Sequence, residues 1–289
     1  MWRALEDGVI ELPFVKGHGT ENDFVLVPDR DGALEIDADS VRAICDRRAG
    51  IGGDGLIRVG PATDGGPGFF MDYRNADGSL AQMCGNGARV FARALVEWGW
   101  QQPGRFEFQT RGGRRGAELG AEGAVSIEMG RVQVGGSSAA ELGGRVLPGV
   151  VVDVGNPHLV CHLPDDVRLA DLDLSQAPGY DRQVYPEGVN VEFMTVLGPD
   201  RLAMRVFERG VGETRSCGTG TVATAAAHRR ALGPGRVEVQ VPGGRVIVDL
   251  TAANDSGVFE ARLTGPAVLV AAGTLTIGEP ATQVAAVPS

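Results

Sequence analysis

Lysine is nearly absent from this chain. Lys16 is the only lysine among 289 residues, so arginine supplies almost all of the 27 basic side chains. Enzymes that use pyridoxal phosphate hold it as a Schiff base on a lysine. Lys16 alone, close to the N-terminus, would have to fill that role. The composition therefore predicts a protein that works without pyridoxal phosphate.

Metal-binding and nucleotide-binding patterns are also missing. The four cysteines and four histidines include no Cys-x-x-Cys and no His-x-x-x-His spacing, which argues against a zinc site. The glycine-rich segment Gly52-Gly53-Asp54-Gly55 is not followed by the Gly-Lys-Ser/Thr of a phosphate-binding loop, and no Rossmann pattern occurs. Four cysteines in a chain of this length are not a disulfide framework. We therefore predict that the protein binds no metal and no cofactor.

Positive charge and long apolar runs are scarce as well. The formal net charge is −10, which disfavours nucleic acid and anionic membranes as partners. No run approaches the roughly 18 apolar residues of a transmembrane helix. The first residues lack the apolar core of a secretion signal. We therefore predict a cytoplasmic protein with no nucleic acid partner and no membrane partner.

Against these absences stands one repeated motif. Cys84-Gly85-Asn86-Gly87 and Cys217-Gly218-Thr219-Gly220 are two Cys-Gly-x-Gly turns, 133 residues apart. Apolar residues at helical spacing follow each turn, namely Ala88, Phe91, Leu95 and Trp98 in the first run and Val222, Ala225, Ala226 and Ala231 in the second. Gly233-Pro234-Gly235 then predicts the end of the second helix. The sequence therefore predicts two helices that each begin at a cysteine.

Other residues repeat at nearly the same offset, including the pairs Asn22 and Asn156, Met71 and Met204, and Asn75 and Glu208. A period this long indicates a duplicated chain rather than a solenoid. Alternating apolar patterns predict short strands before and after each helix. We predict an α+β fold of two pseudo-symmetric domains, each a mostly antiparallel sheet wrapped around a central helix. Residues 1–130 with 265–289 form the first predicted domain, and residues 131–264 form the second.

The position of the two cysteines indicates their chemistry. A cysteine at a helix N-terminus lies near unpaired backbone N–H groups and the positive end of the helix dipole, and both favour the thiolate. We therefore predict that this position lowers the pKa of Cys84 and of Cys217. Cys45 and Cys161 have apolar neighbours and are predicted to be packing residues. Two matched thiols suggest two acid/base groups that face one substrate from opposite sides, in the cleft between the domains.

Six ordered motifs resemble those of the diaminopimelate epimerase family. They are Lys16-Gly17-His18-Gly19-Thr20-Glu21-Asn22-Asp23-Phe24, Tyr73-Arg74-Asn75-Ala76-Asp77-Gly78-Ser79, Cys84-Gly85-Asn86-Gly87-Ala88-Arg89, Gly155-Asn156-Pro157-His158, Val189-Asn190-Val191 and Phe207-Glu208-Arg209-Gly210-Val211-Gly212-Glu213-Thr214. The resemblance extends from about residue 14 to beyond residue 221. It implies an isomerase that converts LL-2,6-diaminopimelate to the meso form without a cofactor, in lysine and cell-wall precursor biosynthesis, and it is compatible with a homodimer.

The resemblance also implies roles for particular residues. Cys84 and Cys217 would be the two bases. Backbone N–H groups of the two turns would receive the reacting carboxylate, and they belong to Gly85, Asn86, Gly218 and Thr219. The residues expected to contact the rest of the substrate are Asn22, Asn75, Asn156, Asn190, Glu208 and Arg209. Arg209 suits a distal carboxylate and Glu208 an ammonium group.

His158 and Glu208 are expected to bias the pKa values of the thiols. From the residues alone, two simpler interpretations stay open. An asparagine beside glycine also forms turns, which applies to Asn22. His158 suits a packing role equally well. Two features depart from the family pattern. Thr20-Glu21 before Asn22 is a variant turn, and Gly55 stands where many members carry glutamine or another polar side chain. We expect that contact to be absent or to be made by backbone.

Three alternative functions remain open at this point. A proline racemase-type enzyme shares the fold and the paired cysteines but needs no distal clamp of Glu208 and Arg209. A thiol redox protein also uses two cysteines, although it more often carries Cys-x-x-Cys. A binding module of the same fold without catalytic activity would tolerate the loss of one thiol, whereas this chain keeps both.

Overall fold

The computed structural model describes residues 3–4, 10–120, 123–253 and 257–277, which are mostly strand with three α-helices and one 3-10 turn. The elements of the first half are β1 Arg3–Ala4, β2 Ile10–Gly19, β3 Asn22–Pro28, α1 Ala38–Cys45, β4 Gly55–Pro61, β5 Phe69–Asn75, α2 Gly85–Glu97, β6 Gly104–Thr110, β7 Gly113–Leu119 and β8 Val125–Leu142. None of these helices, nor the one in the second half, is long and apolar enough to cross a membrane within the described ranges.

The second half is also built mostly of strands. Its elements are β9 Arg145–Asp153, β10 Pro157–His162, the 3-10 turn Leu169–Asp171, β11 Gly179–Tyr180, β12 Asn190–Gly198, β13 Arg201–Glu208, β14 Gly212–Thr214, α3 Gly218–Arg229, β15 Gly235–Val241, β16 Gly244–Ala252, β17 Val258–Gly265 and β18 Val268–Ile277. The prediction of a sheet-rich fold with few helices is confirmed.

Helix α2 lies at the centre of the first half. The strands pair in the order β18–β2–β3–β4–β5–β6–β7–β8 and curve around it. A helix enclosed in this way must be apolar on nearly all sides. Phe91 and Leu95 are fully buried, and the Phe91 ring packs on Phe108 of β6 with centroids 5.0 Å apart. Trp98, predicted as part of the helical stripe, is its C-cap residue.

Helix α3 lies at the centre of the second half and is built from small residues. Strands β8, β9, β10, β12, β13, β15, β16 and β17 pair in this order and return to β8, which closes a ring around α3. Val222, Ala225 and Ala226 are fully buried, so the surrounding strands approach the helix closely. Ala231, predicted as part of the stripe, lies beyond Arg229, the last residue of the helix.

The same pairing pattern occurs in both halves. Parallel pairs join β3 to β4 and β5 to β6 in the first half, and β10 to β12 and β13 to β15 in the second. All other strand pairs among the described residues are antiparallel. The registers also match, because Phe24 pairs with Gly55 in the first half and His158 pairs with Asn190 in the second. These registers agree with the repeat seen in the sequence.

Strand β8 runs through the predicted domain boundary at residues 130 and 131. It pairs with β17 through residues 125–133 and with β9 through residues 133–142, and Gly130 (φ 81°) lies at a bulge in the pairing with β17. The low-complexity segment 135–140 is part of this strand. Residues 1–2, 5–9 and 278–289 of the first predicted domain lie outside the described residues. The domain boundaries stay a prediction.

Helix α1 is shorter than the sequence predicted. The pattern indicated a helix over residues 39–48, whereas α1 ends at Cys45. Asp37 caps its start by accepting the Ser40 N–H at 2.8 Å. At Asp46 the backbone turns to φ −61° and ψ 126°, which is incompatible with a further helical turn. Cys45 is buried at this end, as expected of a packing residue, and burial raises the pKa of its thiol to about 11.

Candidate active site

Both matched cysteines occupy the N-cap of a central helix. Cys84 precedes α2 with φ −135° and ψ 120°, and its Sγ accepts the Gly87 N–H at 3.4 Å. Cys217 precedes α3 with φ −121° and ψ 119°, and its Sγ accepts the Gly220 N–H at 3.4 Å. Each sulfur therefore satisfies one of the first N–H groups, which have no partner within a helix. The prediction that each Cys-Gly-x-Gly turn begins a helix is confirmed.

The starts of the two helices touch each other. A Cβ added to Gly218 would lie 3.1 Å from the Gly85 Cα and 3.2 Å from the Asn86 nitrogen. Both neighbours are backbone atoms, so no flexible side chain is available to move aside. Glycine at position 218 thus permits an approach that a larger residue would allow only if the two backbones moved apart by a few tenths of an ångström. As a consequence, the positive ends of two helix dipoles are brought together.

A cleft of about 670 Å³ opens at this junction, and both thiols line it. The predicted site residues in its lining are Asn22, Asn75, Cys84, Gly85, Asn156, Glu208, Arg209, Cys217, Gly218 and Thr219. Three predicted site residues, Asn86, His158 and Asn190, are buried behind the lining. The structure therefore brings residues from both halves of the chain to one cavity.

A larger groove of about 980 Å³ runs along β18 on another face. Val268 and Val270 contribute much of its apolar surface, and Arg93 and Glu97 supply charge at its edge. No cysteine or histidine lines it. The two thiols line the smaller cleft.

Asn22 holds the first thiol by its carboxamide oxygen. The Cys84 thiol donates to Asn22 Oδ1 over 3.7 Å, and Asn86 Nδ2 donates to the same oxygen at 3.1 Å. The other end of the Asn22 side chain donates to Asp54 Oδ2 at 2.7 Å. Asp54 therefore fixes which end of the amide faces the sulfur. This side chain is more than a turn former, because it contacts the thiol directly.

The second half repeats this arrangement with other residues. Asn156 Nδ2 donates to Thr219 Oγ1 at 3.5 Å, and Thr219 Oγ1 lies 3.5 Å from Cys217 Sγ. Thr219 occupies the helix position that Asn86 occupies in the first half. An asparagine from the preceding strand region thus contacts the second helical residue in both halves.

Tyr73 fills the space next to Gly55. A Cβ at Gly55 would lie 2.6 Å from the Tyr73 ring, so the two residues depend on each other. The Tyr73 hydroxyl donates to Asn75 Oδ1 at 2.9 Å, and Asn75 Nδ2 donates to Ser79 Oγ at 2.9 Å. Tyr73 and Asn75 both line the cleft. The expectation that the contact at position 55 is absent or made by backbone stays a prediction, and the Tyr73 ring occupies the space beside Gly55.

Glu208 lies within electrostatic range of both thiols. The Thr214 hydroxyl donates to Glu208 Oε1. Burial raises the pKa of Glu208 above its ordinary value of 4.5, while hydrogen bonds from Thr214 and Cys217 oppose that rise. Its charge raises the pKa of Cys217 and that of Cys84. This placement is compatible with its predicted influence on the thiols.

Arg209 reaches the cleft on an exposed strand end. Its Nη1 donates to the Glu187 carbonyl at 3.2 Å, and no carboxylate pairs with it among the described residues. Asn190 supports it from behind, because Asn190 Oδ1 accepts the Arg209 backbone N–H at 2.9 Å and its Nδ2 donates to the Pro157 carbonyl at 3.4 Å. Both ends of the Asn190 amide are thus hydrogen-bonded to backbone groups rather than directed into the cleft.

Glu192 is a buried carboxyl that the sequence analysis missed. It is fully buried and its Oε1 lies 2.7 Å from His158 Nδ1. His158 is also fully buried, and its Nε2 lies 3.0 Å from Asn156 Oδ1. His158 therefore contacts neither thiol directly. A polar residue in the apolar strand run Val189-Asn190-Val191-Glu192-Phe193 was the signal available in the sequence.

The hairpin between β2 and β3 anchors the first half to the second. Thr20 and Glu21 both adopt positive φ angles, 53° and 61°, which is uncommon outside glycine. Thr20 Oγ1 lies 2.7 Å from Ser216 Oγ, next to Cys217 in the sequence, and Glu21 forms an ion pair with Arg215. The unusual turn noted in the sequence thus carries contacts to the second half.

The thiol pKa values differ from the sequence-based prediction. Burial raises the pKa of Cys84 to about 11, although hydrogen bonds from the Gly87 and Asn86 N–H groups lower it. Burial, followed by the charges of Glu208 and Glu192, raises the pKa of Cys217 well above its ordinary value. The N–H groups at the helix start lower the thiol pKa, as predicted, but desolvation of the thiolate raises it by more. In the empty cleft both thiols are therefore protonated at neutral pH.

Lys16 does not line the cleft and is committed to an ion pair. Its Nζ lies 2.6 Å from Asp23 Oδ2, and Arg47 contacts the same carboxylate at 2.7 Å. Burial would raise the pKa of Asp23, but hydrogen bonds from Arg47 and Lys16 hold it below its usual range. In the described part of the chain, no three His, Cys, Asp or Glu side chains converge as metal ligands.

Comparison with solved structures defines the class of fold. A PhzF-family phenazine biosynthesis protein from Bacillus anthracis superposes with a TM-score of 0.70 at 18% identity, covering 92% of this chain and 99% of the other. A hydroxyproline epimerase from Agrobacterium vitis, with bound trans-4-hydroxy-L-proline, superposes with a TM-score of 0.66 at 17% identity, covering 93% and 94%. The chain therefore has the fold that these enzymes share.

Sequence comparison identifies the family within that class. The diaminopimelate epimerase family profile matches residues 14–135 and 150–270. Diaminopimelate epimerase from Corynebacterium glutamicum is 46% identical over 282 residues, covering 93% of this chain and 99% of that protein. The enzyme of the same name from Thermobifida fusca is 47% identical over 278 residues, covering 92% and 98%. The chain belongs to the diaminopimelate epimerase family.

Proposed function

We propose that this protein interconverts LL- and meso-2,6-diaminopimelate by a cofactor-independent mechanism with two bases, in lysine and cell-wall precursor biosynthesis. The reaction would take place in the cleft between two pseudo-symmetric domains. The observation that carries the proposal is the pair of thiols, Cys84 and Cys217, which cap two touching helices and line one cavity. Family membership supplies the substrate class.

The chemical step needs both thiols. One sulfur, as the thiolate, removes the α-proton and becomes a thiol, leaving its electron pair on the α-carbon. The opposite thiol donates its proton to the other face of that carbon and becomes the thiolate. The reverse reaction exchanges the two roles. Because an empty cleft favours two neutral thiols, we expect substrate binding to create the thiolate, with the ammonium group of the substrate compensating its charge.

The helix starts stabilise the developing charge. As the proton leaves, negative charge moves onto the reacting carboxylate. The first N–H groups of α2 and α3, from Gly85, Asn86, Gly218 and Thr219, would donate to that carboxylate. Donors that are already oriented bind the transition state more strongly than the substrate. Lys16, the only lysine, is held by Asp23, which supports chemistry that needs no Schiff base.

The test is exchange of the α-proton with solvent. In heavy water, wild-type enzyme should convert LL-diaminopimelate to a product that carries deuterium well before the remaining substrate does, because a different sulfur returns the proton. Cys84→Ala and Cys217→Ala should each abolish epimerisation while circular dichroism stays unchanged. A single alanine variant with near-normal turnover would disprove the two-base mechanism.

The distal end of the substrate is proposed to bind Arg209. This guanidinium has no carboxylate partner among the described residues, and a hydrogen bond to a charged group contributes about 1.5–3 kcal/mol. Arg209→Ala should therefore lower kcat/KM for diaminopimelate by about one to two decades, at about 1.4 kcal/mol per decade. Arg168→Ala, at an exposed arginine paired with Asp171, is the control.

The alternative is a proline racemase-type activity. The chain shares its fold with a hydroxyproline epimerase, but the 17% identity supports the fold alone. Arg209 and Glu208 in the cleft favour a long substrate with a second charged end. Comparable racemisation of proline and diaminopimelate by the wild-type enzyme would favour this alternative.

The proposal extends to a cytoplasmic homodimer. All four cysteines are free thiols, which is compatible with a reducing compartment. Val268 and Val270 of β18 are half exposed, and a second copy would cover them. Light scattering of the purified protein measures the number of copies.

A further inference from the structure

The two cysteine helices rest on chemically different pairs of side chains. A Cβ added to Gly87 in α2 would lie 3.2 Å from Ile57 Cδ1 and 3.4 Å from Phe24 Cε1. A Cβ added to Gly220, the matching residue of α3, would lie 2.5 Å from Glu192 Oε1. The first helix start therefore rests on a hydrocarbon surface, and the second rests on a carboxyl group.

The strand registers show that these pairs occupy equivalent positions. Phe24 pairs with Gly55, two residues before Ile57, in the parallel ladder of β3 and β4. His158 pairs with Asn190, two residues before Glu192, in the parallel ladder of β10 and β12. Phe24 and Ile57 in the first half thus correspond to His158 and Glu192 in the second. The second half has a buried acid and a buried imidazole where the first half has two apolar side chains.

A chain of polar contacts leads from this pair to one thiol. Glu192 Oε1 lies 2.7 Å from His158 Nδ1, and His158 Nε2 lies 3.0 Å from Asn156 Oδ1. Asn156 Nδ2 then donates to Thr219 Oγ1 at 3.5 Å, and Thr219 Oγ1 lies 3.5 Å from Cys217 Sγ. Cys84 has no counterpart of this chain, because Asn22 contacts it directly.

Hydrogen-bond accounting fixes the protons in this chain. Asn156 Oδ1 is an acceptor, so His158 Nε2 must carry a proton. Glu192 and His158 Nδ1 then need a further proton between them, because two lone pairs do not form a hydrogen bond. Glu192 Oε2 is buried without a partner among the described residues, and burial raises the pKa of Glu192. The acid and the imidazole therefore share one proton and form a pair with no net charge.

We infer that Glu192 is a positioning residue for Cys217, an inference that rests on the proposed two-thiol function. By supplying the shared proton, Glu192 keeps a proton on His158 Nε2, which orients the Asn156 amide with its nitrogen towards Thr219. Because Asn156 donates to Thr219 Oγ1, the Thr219 hydroxyl proton is free to point at the Cys217 sulfur. The acid thus selects the direction of the hydrogen bond that the second sulfur receives.

Other ionisable groups face the same pair. Burial raises the pKa of Glu192, and the charge of Glu208 adds to this rise. Burial also raises the pKa of Cys161 and of Tyr185, and an ionised Glu192 would add to both shifts. The Tyr185 hydroxyl donates to the His158 carbonyl at 3.3 Å and does not compete for the ring. Sharing the proton therefore also removes a negative charge from the surroundings of Cys217.

Two substitutions at Glu192 separate this role from simple packing. Glu192→Gln keeps a donor for His158 Nδ1, so kcat should stay within about threefold of wild type. Glu192→Leu keeps the bulk but removes the partner of the ring, and misplacement of a reacting group by such a change lowers kcat by up to about 10²-fold. KM should change little in both variants, because Glu192 does not line the cleft.

The second readout is alkylation of the two thiols in the same molecule. Iodoacetamide labelling, resolved by peptide mass spectrometry over a range of pH, should show a changed Cys217 rate in Glu192→Leu and an unchanged Cys84 rate. Ile57→Val is the matched control at the equivalent position under α2, and it should leave the Cys217 rate unchanged. Thermal denaturation confirms that each variant is folded.

Two outcomes would overturn the inference. One is Glu192→Leu with wild-type kcat and a wild-type Cys217 alkylation rate. The other is an equal loss in Glu192→Gln and Glu192→Leu, since glutamine keeps a hydrogen-bond partner for His158 Nδ1 and should then retain activity that leucine loses. Failure of the proposed function is distinguishable, because it would remove diaminopimelate turnover from the wild type without changing the alkylation comparison.

Discussion

At the scale of single residues, the cleft depends on a few side chains whose orientation is fixed by a second contact. Asp54 fixes Asn22, Tyr73 and Ser79 fix Asn75, and Asn190 fixes the backbone of Arg209. Groups that are already oriented before the substrate arrives need no reorganisation during the reaction. The supporting contacts are therefore as informative for mutagenesis as the lining itself.

Tyr73→Phe isolates one of these contacts. The ring that fills the space beside Gly55 remains, but Asn75 Oδ1 loses the hydroxyl that donates to it at 2.9 Å. A hydrogen bond of this kind contributes about 0.5–1.5 kcal/mol. Because it orients Asn75 in the cleft lining, we expect kcat/KM for diaminopimelate to fall by up to about tenfold, at about 1.4 kcal/mol per decade, with a small change in Tm. Tyr180→Phe, at a tyrosine outside the cleft lining, is the control, and an equal loss there would refute the assignment.

Glu208→Gln tests the electrostatics of the cleft through stability. The pKa of Glu208 is raised in the folded protein, so the folded state binds this proton more tightly than the unfolded state does. This contribution to stability is present below the ordinary pKa of 4.5 and is lost as pH rises through the folded value. Glutamine does not titrate, so the Tm advantage of the variant should grow as pH rises above about 4.5 and then become constant.

The measurement for Glu208→Gln is thermal denaturation at a series of pH values, together with epimerase activity. We expect the variant to be more stable than wild type at neutral pH and nearly inactive, which is the usual relation between a strained site and stability. A Tm difference that is independent of pH would contradict the raised pKa.

At the scale of elements, the site is the contact between the first turns of α2 and α3. The contact exists because Gly218 presents backbone alone to Gly85 and Asn86. Beyond the first turn, the buried side chains of both helices are small or apolar apart from Arg89, which lets the strands close around them. The helix starts are thus positioned by packing of the whole helix rather than by the cysteines themselves.

Gly218→Ala should separate the two helix starts. Its Cβ would lie 3.1 Å from the Gly85 Cα, so α3 must shift by a few tenths of an ångström or more. We expect kcat to fall by about 10²-fold, because small displacements of reacting groups have effects of this size. Gly136→Ala is the control, since no atom lies within 4 Å of its Cβ position. Steady-state kinetics with circular dichroism decide the outcome, and unchanged kcat in Gly218→Ala would refute the argument.

Many of the helices and strands were predictable from the sequence because their apolar residues recur periodically. The Cys-Gly-x-Gly turns and the apolar spacing after them identified α2 and α3, and alternation identified most strands. Strands β7, β10, β17 and β18 and the short strands β1, β11 and β14 were missed. Arg114 and Arg115 interrupt the apolar alternation of β7, and small residues such as Ala271 and Ala272 interrupt that of β18. In both cases, pairing with neighbouring strands overrides weak local preference.

The residues of the site were more predictable from the sequence than the pKa values of its two thiols. The resemblance to the family indicated ten residues that line the cleft, whereas the helix-start position of the cysteines gave the wrong direction for the thiol pKa values. Helix-start effects can be inferred from a local motif, whereas desolvation depends on residues distant in the chain. Glu192 and Tyr73 were missed for the same reason, because their partners come from neighbouring strands.

At the scale of the whole molecule, the two halves are joined at several points. β8 pairs with strands of both halves, and the β2–β3 hairpin contacts Ser216 and Arg215. A Cβ on Gly243 would overlap the carbonyl of Thr20, which shows how closely the hairpin is seated. Relative movement of the halves must therefore leave this hairpin contact largely unchanged.

Reversible oxidation is expected to inactivate the protein by linking the halves. Cys84 and Cys217 cap helices whose first residues touch, and both thiols face one cleft. Mild oxidants should therefore form a disulfide between them in the empty site, with complete recovery on adding a thiol reductant. Intact mass and non-reducing peptide maps identify the bond. Diaminopimelate should protect against it, and an enzyme indifferent to oxidation would contradict the proximity of the two sulfurs.

The pairing of β2 with β18 has a consequence for biosynthesis. These strands form a continuous antiparallel ladder, yet β2 begins at Ile10 and β18 ends at Ile277. When the ribosome has released the first half, β2 still lacks this partner, and its edge stays open until β18 has been made. The ring around α3 is different, since its strands lie between residues 125 and 265 and are all made before β18. We expect the second half to reach its final structure first and the first half to be completed only when β18 joins it.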